Sequence, residues 1–171
     1  VFVFAGIHAY MDGMKYSGDE YYEKNNLQDL WVTGENFFED DLEDIKNLDN
    51  VKNAERVLSI RTELDDFDDV VIETNFIETN DISKMYVVDG EEYSENKDGI
   101  WLDSYLADNL KLKVGDEIAL KYQNYVIKEE IKGLITTPDH VYVIKDDTAI
   151  FPTHKDFGYA YLSINEFPED F

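Results

Sequence analysis

The sequence predicts an α+β fold with a largely antiparallel β-sheet and few, separated helices. Segments with the two-residue alternation of strands outnumber segments with helical spacing. Strands and helices do not alternate regularly along the chain, as they would around a parallel sheet. The length of 171 residues and the hydrophobic share of 43% are enough to bury a core. No internal repeat and no Pro-rich linker divides the chain.

The first 26 residues differ from the rest of the chain. Val1–Ile7 is a short apolar run without a preceding Met. It is interpreted either as the cut end of a longer segment or as a buried first strand or helix turn. From His8 to Asn26, aromatic and polar residues mix, and Gly13 and Gly18 weaken the prediction of a helix. The residues that such a helix would place on one side are Tyr10, Met14, Tyr21 and Tyr22.

One helix and three strands are predicted in the next part of the chain. Leu30–Gly34 is predicted as a short strand closed by a turn. Asn36 stands three residues before Glu39, which is a variant of the capping box and predicts a helix start. Val51–Leu64 and Val70–Phe76 are predicted as a long hairpin around an acidic turn. The apolar side of the helix consists of Phe38, Leu42, Ile45 and Leu48.

The second half of the chain is predicted as strands around one short helix. Asp103 follows an apolar segment and is a predicted N-cap for this helix. Gln123-Asn124 is a predicted hairpin turn between two alternating segments. The predicted strands are Met85–Val88, Ile118–Tyr122, Tyr125–Ile131, His140–Ile144, Ala149–Phe151 and Tyr159–Ser163.

The charge limits the classes of partner. Asp and Glu number 39 and Lys and Arg number 15, so the formal net charge is −24. Such a surface repels phosphate backbones, and we therefore expect no nucleic-acid partner. It also disfavours docking of this domain on anionic lipid headgroups. Basic peptides, divalent ions and basic wall polymers remain possible partners, and simple solubility remains the alternative explanation.

Motifs for catalysis or metal binding are missing from the sequence. There is no Cys, and His8, His140 and His154 lack metal-ligand spacing, although the last two flank a turn and could converge. The loop of Ser94, Asn96, Asp98 and Gly99 resembles a calcium loop, but Tyr105 stands where a bidentate Glu is required. We therefore predict no catalytic residue, no cofactor-binding residue and no metal ligand.

A resemblance to a known family rests on segments that follow one another in a fixed order. Together they resemble the extracytoplasmic domain of MacB/FtsX-type ABC transporter permeases, in the FtsX-like form of Gram-positive bacteria. The resemblance covers the chain from Val1 to about Leu162. The segments are Asp29–Val32, Asp41–Lys46, Val51–Arg56, Gly99–Leu102, Leu106-Ala107, Leu110–Ile118 and Gly133–Ile135.

The resemblance implies a module of a membrane protein on the extracellular side of the cell membrane. Residues 1–26 would be a membrane-proximal segment continuing from a transmembrane helix. Residues 27–171 would be an extracytoplasmic α+β domain, truncated at its C-terminus because such domains usually continue further. The module would not be an enzyme, since a separate subunit or domain hydrolyses ATP in this family.

The implied partners follow from the same resemblance. They are the cognate ABC ATPase, reached through the rest of the permease, an unknown extracellular peptide, lipoprotein or wall-associated partner, and the membrane through flanking helices. No cofactor is implied. Tyr142 and Phe157 are candidate contact residues if they are exposed in loops.

Two alternative functions stay open at the level of sequence. The first is a secreted acidic module that binds a cationic peptide or wall component. The second is a hydrolase that uses acidic residues together with His140 or His154.

Overall fold

The computed structural model describes residues 2–35, 37–142, 145 and 154–168. Their elements combine many strands with few helices, which confirms the α+β class. The helices are α1 (Phe2–Lys24), α2 (Glu39–Lys46) and α3 (Ser104–Leu110), and a 3-10 turn covers Ile164–Glu166. The strands are β1 (Val57–Leu64), β2 (Val71–Ile77), β3 (Tyr86–Gly90), β4 (Ile100–Asp103), β5 (Glu117–Tyr122), β6 (Tyr125–Thr136) and β7 (Phe157–Ser163).

The described strands form one mixed sheet that closes on itself. The strand order is β3-β6-β4-β7-β2-β1-β5, and β5 also pairs with β6. Strand β6 is long enough to pair with β5 through its first half and with β3 and β4 through its second half. The pairs β2–β7 and β4–β6 are parallel, and the remaining pairs are antiparallel. The sheet is therefore largely antiparallel, as predicted, with two parallel pairs that the sequence did not indicate.

Strand β7 lies at the centre of this sheet and is buried along its whole length. It pairs with β2 on one side and with β4 on the other. Leu162 and Ala160 belong to one core cluster, and Tyr159 and Tyr161 belong to a second one. Because both faces of β7 are covered, its residues do not show the apolar and polar alternation of a half-exposed strand.

The two predicted hairpins and the predicted cap are confirmed. Strand β1 pairs with β2 across the acidic turn, and β5 pairs with β6 across Gln123-Asn124. Asp103 is the N-cap of α3, and its side chain accepts a hydrogen bond of 3.0 Å from the backbone N–H of Tyr105. This bond satisfies one of the N–H groups that the first turn of a helix leaves unpaired.

Helix α2 starts later than its predicted cap. Its N-cap is Phe38, whose backbone N–H donates to the Asp41 carboxylate at 2.8 Å. Asn36, the predicted cap, lies outside the described residues. Leu42 and Ile45 are half-buried, and no residue of α2 is fully buried.

Several predicted strand boundaries are wrong. Leu30–Gly34 forms no strand, and Leu30 is 78% exposed, because no described strand pairs with this segment. Strand β1 begins only at Val57, and β6 continues through Gly133 to Thr136. Of the predicted strand His140–Ile144, residues 140–142 are not in a strand, and the rest lies outside the described residues, as does Ala149–Phe151.

Candidate functional site

Helix α1 is exposed over most of its length and is fixed to the domain at its C-terminal end. The helix runs without interruption through Gly13 and Gly18, and residues 6–17 are exposed. Among the described residues, no helix has the length and apolar character to cross a membrane. The side chains of Ile7, Tyr10, Met11 and Met14 are each more than half exposed.

The C-terminal end of α1 is held by hydrogen bonds to the loop before β3. The backbone carbonyl of Asn25 accepts from the N–H of Lys84 at 2.7 Å, and that of Asn26 accepts from Ser83 at 2.8 Å. The Asn26 side chain donates to the Asp81 carbonyl at 2.6 Å. Asn25 itself is only 6% exposed. These contacts, here called the α1 anchor (Asn25 and Asn26 with residues 81–84), join the helix to the sheet.

A cavity of about 450 Å³ lies between the last turns of α1 and the ends of β6 and β7. Such a volume lies in the range of small-molecule and side-chain pockets. One wall comes from α1, and the other comes from α3, the strand ends and the segments near His140 and His154. The lining residues are Ser17, Gly18, Tyr21, Tyr22, Tyr105, Thr136, Thr137, His140, Val141, His154 and Tyr159.

His140 stands at one side of this cavity between two carboxylates. Its Nδ1 lies 3.0 Å from Asp139 Oδ1 and 3.0 Å from Thr137 Oγ1, and its Nε2 lies 3.5 Å from Glu73 Oε1. Its ring stacks on Tyr159 with the ring centroids 4.3 Å apart. The imidazole is therefore fixed on both nitrogens and on one face.

These contacts hold His140 as the imidazolium ion. Burial alone would lower the pKa of His140, but the hydrogen bonds with Asp139 and Glu73 outweigh it and raise the pKa to about 9. The hydrogen bond with His140 lowers the pKa of Glu73. For Asp139, burial would raise the pKa, but the hydrogen bond and charge of His140 lower it. A histidine charged at neutral pH can donate a proton as a general acid but cannot accept one as a general base.

A second acid and histidine pair lies on the other side of the cavity. Asp103 Oδ2 and His154 Nδ1 are 3.6 Å apart, and neither atom has a hydrogen-bond partner among the described residues. The Asp103 side chain is completely buried, and burial raises the pKa of its carboxyl group. The His154 ring packs on Tyr105 at a centroid distance of 4.9 Å. Asp103 does not itself line the cavity, and its Oδ2 faces His154, which does.

Among the described residues, three pairs of aromatic rings lie around the cavity. Besides the pairs formed by His140 with Tyr159 and by His154 with Tyr105, the rings of Tyr21 and Tyr22 meet edge to face at 5.8 Å. The Tyr21 hydroxyl lies 3.4 Å from Thr136 Oγ1, which links α1 to the end of β6. The cavity thus combines aromatic walls with carboxylates behind them.

The three histidines and the two candidate contact residues that the sequence analysis named lie at different places in the structure. His140 and His154 line the same cavity, as their convergence required, whereas His8 is exposed on α1. Tyr142 is exposed, but it is not among the lining residues. The expectation that Phe157 is an exposed loop residue is wrong, because Phe157 begins the buried strand β7 and is 3% exposed.

Sequence reasoning missed several residues of this site, namely Glu73, Asp139, Tyr105 and Tyr159. Glu73 lies on β2, which pairs in parallel with β7. His140 lies in the segment after β6, and the fold brings the two side chains together. Nothing in the spacing of the sequence indicates a contact across 67 residues. Asp103 was predicted as a helix cap, which it is, but its second carboxylate oxygen also faces His154.

No group of three or more His or acidic residues among the described ones is arranged to hold a metal ion. Asp98, from the loop that resembles a calcium loop, instead lies near Glu129 and Glu166. This crowding of carboxylates and the burial of Glu166 raise the pKa of Glu166 to about 7, burial being the larger cause.

Comparison with known proteins finds a similar solved structure. Neither a protein-family model nor a curated protein matches the chain. The chain is similar to the extracellular domain of the noncanonical ABC-type transporter YknZ from Gram-positive bacteria, with 20% sequence identity and a TM-score of 0.46. The match covers 75% of this chain and 63% of that domain, so this chain spans less than two thirds of its length.

Proposed function

We propose that this chain is the extracytoplasmic module of an FtsX-like ABC transporter permease. In this role it is not a catalyst. It engages a substrate or partner outside the cell and moves with the transmembrane part of the permease, whose ATP is hydrolysed elsewhere. Two features support the proposal: the ordered segments that resemble this family, and the way α1 joins the domain.

The α1 anchor is the observation that carries the proposal. A helix can transmit movement to a domain if most of its length makes no contact with that domain and one end is attached to it by several hydrogen bonds. Helix α1 is exposed along residues 6–17 and is tied to the domain by the hydrogen bonds of Asn25 and Asn26. Tyr21 adds a second point of attachment at Thr136. Movement of α1 would therefore carry the β2–β3 loop and the end of β6 with it.

The location of the parent protein is the first test. The full-length parent is expressed in its host, intact cells are treated with a membrane-impermeant protease, and the fractions are probed for this segment. We expect the parent to stay in the membrane fraction, to be cleaved from outside and to co-purify with an ABC ATPase. A cytosolic product that is protected from the protease would overturn the proposal. Release into the medium would favour the secreted acidic module.

The coupling through α1 is the second test. The chain has no Cys, so in a parent permease whose other Cys residues are replaced, Ser59→Cys on the exposed side of β1 accepts a single fluorophore. In the reconstituted parent permease, energy transfer from this fluorophore to a lipid headgroup acceptor is compared with ADP and with ATP. We expect a nucleotide-dependent change that a Gly-Gly insertion between Lys24 and Asn25 abolishes, because it separates α1 from the hydrogen bonds that Asn25 and Asn26 form with residues 81–84.

The matched control carries the same insertion between Gln123 and Asn124, in the exposed β5–β6 turn. This insertion leaves the α1 anchor intact, and the nucleotide-dependent change should persist. Equal signals with ADP and ATP in the unmodified permease, or an unchanged response after the insertion at the anchor, would contradict the role of α1.

A further inference from the structure

The first half of strand β1 has a hydrogen-bonded neighbour on one side only. It pairs with β2 over residues 57–63, whereas β5 on the other side pairs with Glu63 and Leu64 alone. The Leu64 N–H donates to the Val70 carbonyl in the register of the β1–β2 pair, so the even-numbered residues of β1 bond to β2. The odd-numbered residues before Glu63 direct their N–H and C=O groups to a side where no described strand lies. They are Val57, Ser59 and Arg61, here called the open β1 edge.

Hydrogen bonds of the neighbouring strands agree with this assignment. The Asp65 N–H donates to the Ala119 carbonyl at 2.9 Å, which shows that odd-numbered residues at the end of β1 face β5. The Val71 N–H donates to the Asp156 carbonyl at 2.9 Å, so the odd-numbered residues of β2 bond to β7 and the even-numbered ones face β1. Strand β5 ends and turns back into β6 soon after its pairing with β1, so it does not cover the open β1 edge.

The open β1 edge lacks several features that protect free strand edges in other proteins. Such edges are commonly interrupted by bulges or Pro, or are covered by another segment. Strand β3, which pairs only with β6, has a register shift between Val87 and Asp89, and its Gly90 N–H donates to the Asp89 carboxylate at 2.9 Å. The β1–β2 pair has no register shift over residues 57–63, and this stretch contains no Pro. Strand β1 therefore offers a regular row of N–H and C=O groups to an added strand.

The side chains beside this edge indicate the chemistry of such a strand. On the inner face, Leu58 is 39% exposed, and Ile60 is half-buried against the larger core cluster. On the outer face, Arg61 is exposed, and its guanidinium stands 5.7 Å from the centre of the Phe157 ring. Arg61 is also the one charged residue between positions 57 and 62. Because cross-strand neighbours share a face, apolar residues would suit the inner face and a carboxylate would suit the position opposite Arg61.

We infer that the open β1 edge binds an extended segment of a partner protein as an added antiparallel strand, with apolar residues facing Leu58 and Ile60 and a carboxylate facing Arg61. A second copy of this chain fits less well. Paired about Ser59, it would place Val57 opposite Arg61 and would bring a second net charge of −24. The inference rests on the proposed function and deepens it, because it names the surface and the mode by which the outer module engages a partner.

The test measures binding of a short peptide to the 171-residue chain by NMR. The probe is acetyl-Glu-Val-Thr-Val-Thr-amide. Paired antiparallel to β1, it places its Glu opposite Arg61 and its two Val residues opposite Ile60 and Leu58. We expect the amide signals of the open β1 edge to shift and the hydrogen exchange of these three N–H groups to slow.

Methylation of single peptide nitrogens separates strand pairing from side-chain contact. The N–H of the central Thr, opposite Ser59, would point toward β1, so its methylation removes a hydrogen bond and should weaken binding about tenfold or more. The N–H of the second Val, opposite Leu58, would point away from β1. Methylation at this nitrogen is the matched control and should leave the affinity nearly unchanged.

Variants of the chain locate the binding edge. Leu58→Ser removes an apolar side chain beside the edge and should weaken the peptide several-fold, whereas Val88→Ser, at a 55% exposed position of β3, should not. Ser59→Pro removes an N–H on the open side of an edge strand, where Pro is tolerated, and should abolish binding. Thermal midpoints within a few degrees of the unmodified chain confirm that each variant is folded.

The charge of Arg61 is tested with a second peptide that carries Gln in place of Glu. General repulsion between the Glu peptide and the acidic chain acts equally in the unmodified chain and in Arg61→Gln, so the ratio of the two affinities is compared. The preference for the Glu peptide should be about two- to fivefold higher with Arg61 than with Arg61→Gln. An equal ratio in the two proteins would contradict a carboxylate as the group that faces Arg61.

Three other results would overturn the inference: unchanged signals and exchange at the open β1 edge, equal weakening by the two methyl groups, or unchanged affinity in Leu58→Ser. A dimer of the unmodified chain that Ser59→Pro separates would also overturn it, because a second copy would then occupy the edge. Failure of the peptide assay would leave the membrane and nucleotide tests of the permease role unaffected. A cytosolic parent would in turn leave a positive peptide result in place, so the two failures are distinguishable.

Discussion

Raising the pH from 6 to 9.5 should destabilise the fold, because it removes the charge of His140. In the unfolded chain this histidine has a pKa of 6.5, and in the folded chain the two carboxylates raise the pKa to about 9. Below pH 6.5 both states are protonated and the stabilisation is present in full. It is lost progressively as the pH rises from 6.5 to 9, because the unfolded chain then releases its proton first.

The magnitude follows from the size of this shift. A shift from 6.5 to about 9, at 1.36 kcal/mol for each pKa unit, corresponds to roughly 3 kcal/mol of unfolding free energy. The His140 side chain is only 20% exposed, so solvent screening reduces this value little. Stability would be measured by urea unfolding in steps across this pH range, with NMR titration of the His140 ring in parallel.

The control for this prediction is another histidine. His140→Gln should flatten the decline of stability between pH 6.5 and 9, whereas His8→Gln, at an exposed position of α1, should leave the decline unchanged. An NMR midpoint for His140 near 6.5, or an equal decline in the His140→Gln variant, would refute the assignment of a fixed imidazolium between Glu73 and Asp139.

Three further predictions concern other parts of the fold. The pKa of Glu166 is raised to about 7 in the folded chain, so ionisation of this group opposes folding. The unfolding free energy in urea should therefore fall between pH 4.5 and 7, and Glu166→Gln should reduce this fall. The buried hydroxyl groups of Thr62 and Thr74 lie 2.8 Å apart in a hydrogen bond. Thr62→Val should therefore lower the unfolding free energy in urea by about 1–3 kcal/mol, because it leaves the Thr74 hydroxyl unpaired. Adding Thr74→Val removes that unpaired group, so the second substitution should cost less than the first. In Gly133→Ala the new Cβ would lie 2.6 Å from a ring atom of Trp101, so thermal unfolding should show a loss of about 1–3 kcal/mol, and an unchanged midpoint would show that the ring can move aside.

The sequence predicted local structure well where the determining residues are neighbours. The Asp103 cap and the hairpin turn at Gln123-Asn124 depend on a few consecutive residues, and both are confirmed. The strand prediction for Leu30–Gly34 is wrong because its composition suits a strand, but a strand also requires a hydrogen-bonded partner, and none of the described strands supplies one. The parallel pairing of β2 with β7 joins segments 86 residues apart (71 with 157), so no local pattern contains it.

For the same reason, the sequence predicts only part of the candidate site. The sequence points to His140 and His154 because histidine is rare in this chain, with three residues in all. Glu73 and Asp139 could not be chosen among 39 acidic residues before the sheet topology was known. The sequence indicates only that Tyr159 belongs to a strand. That its ring stacks on His140 depends on the tertiary structure, which brings the segment after β6 next to β7.

The position of the cavity connects ligand binding with movement of α1. Tyr21 and Tyr22 line the cavity and belong to the last turns of α1, directly before the α1 anchor. A ligand that contacts these rings binds more tightly when α1 is docked than when it is displaced. By thermodynamic linkage, displacing α1 must then raise the dissociation constant of the ligand by a certain factor. Binding of the ligand lowers the equilibrium constant for displacement of α1 by the same factor. If the permease moves α1 during its ATP cycle, a ligand of this cavity should therefore bind with different affinities in the ADP and ATP states of the reconstituted parent, and a Gly-Gly insertion between Lys24 and Asn25, which separates α1 from the anchor, should make these affinities equal.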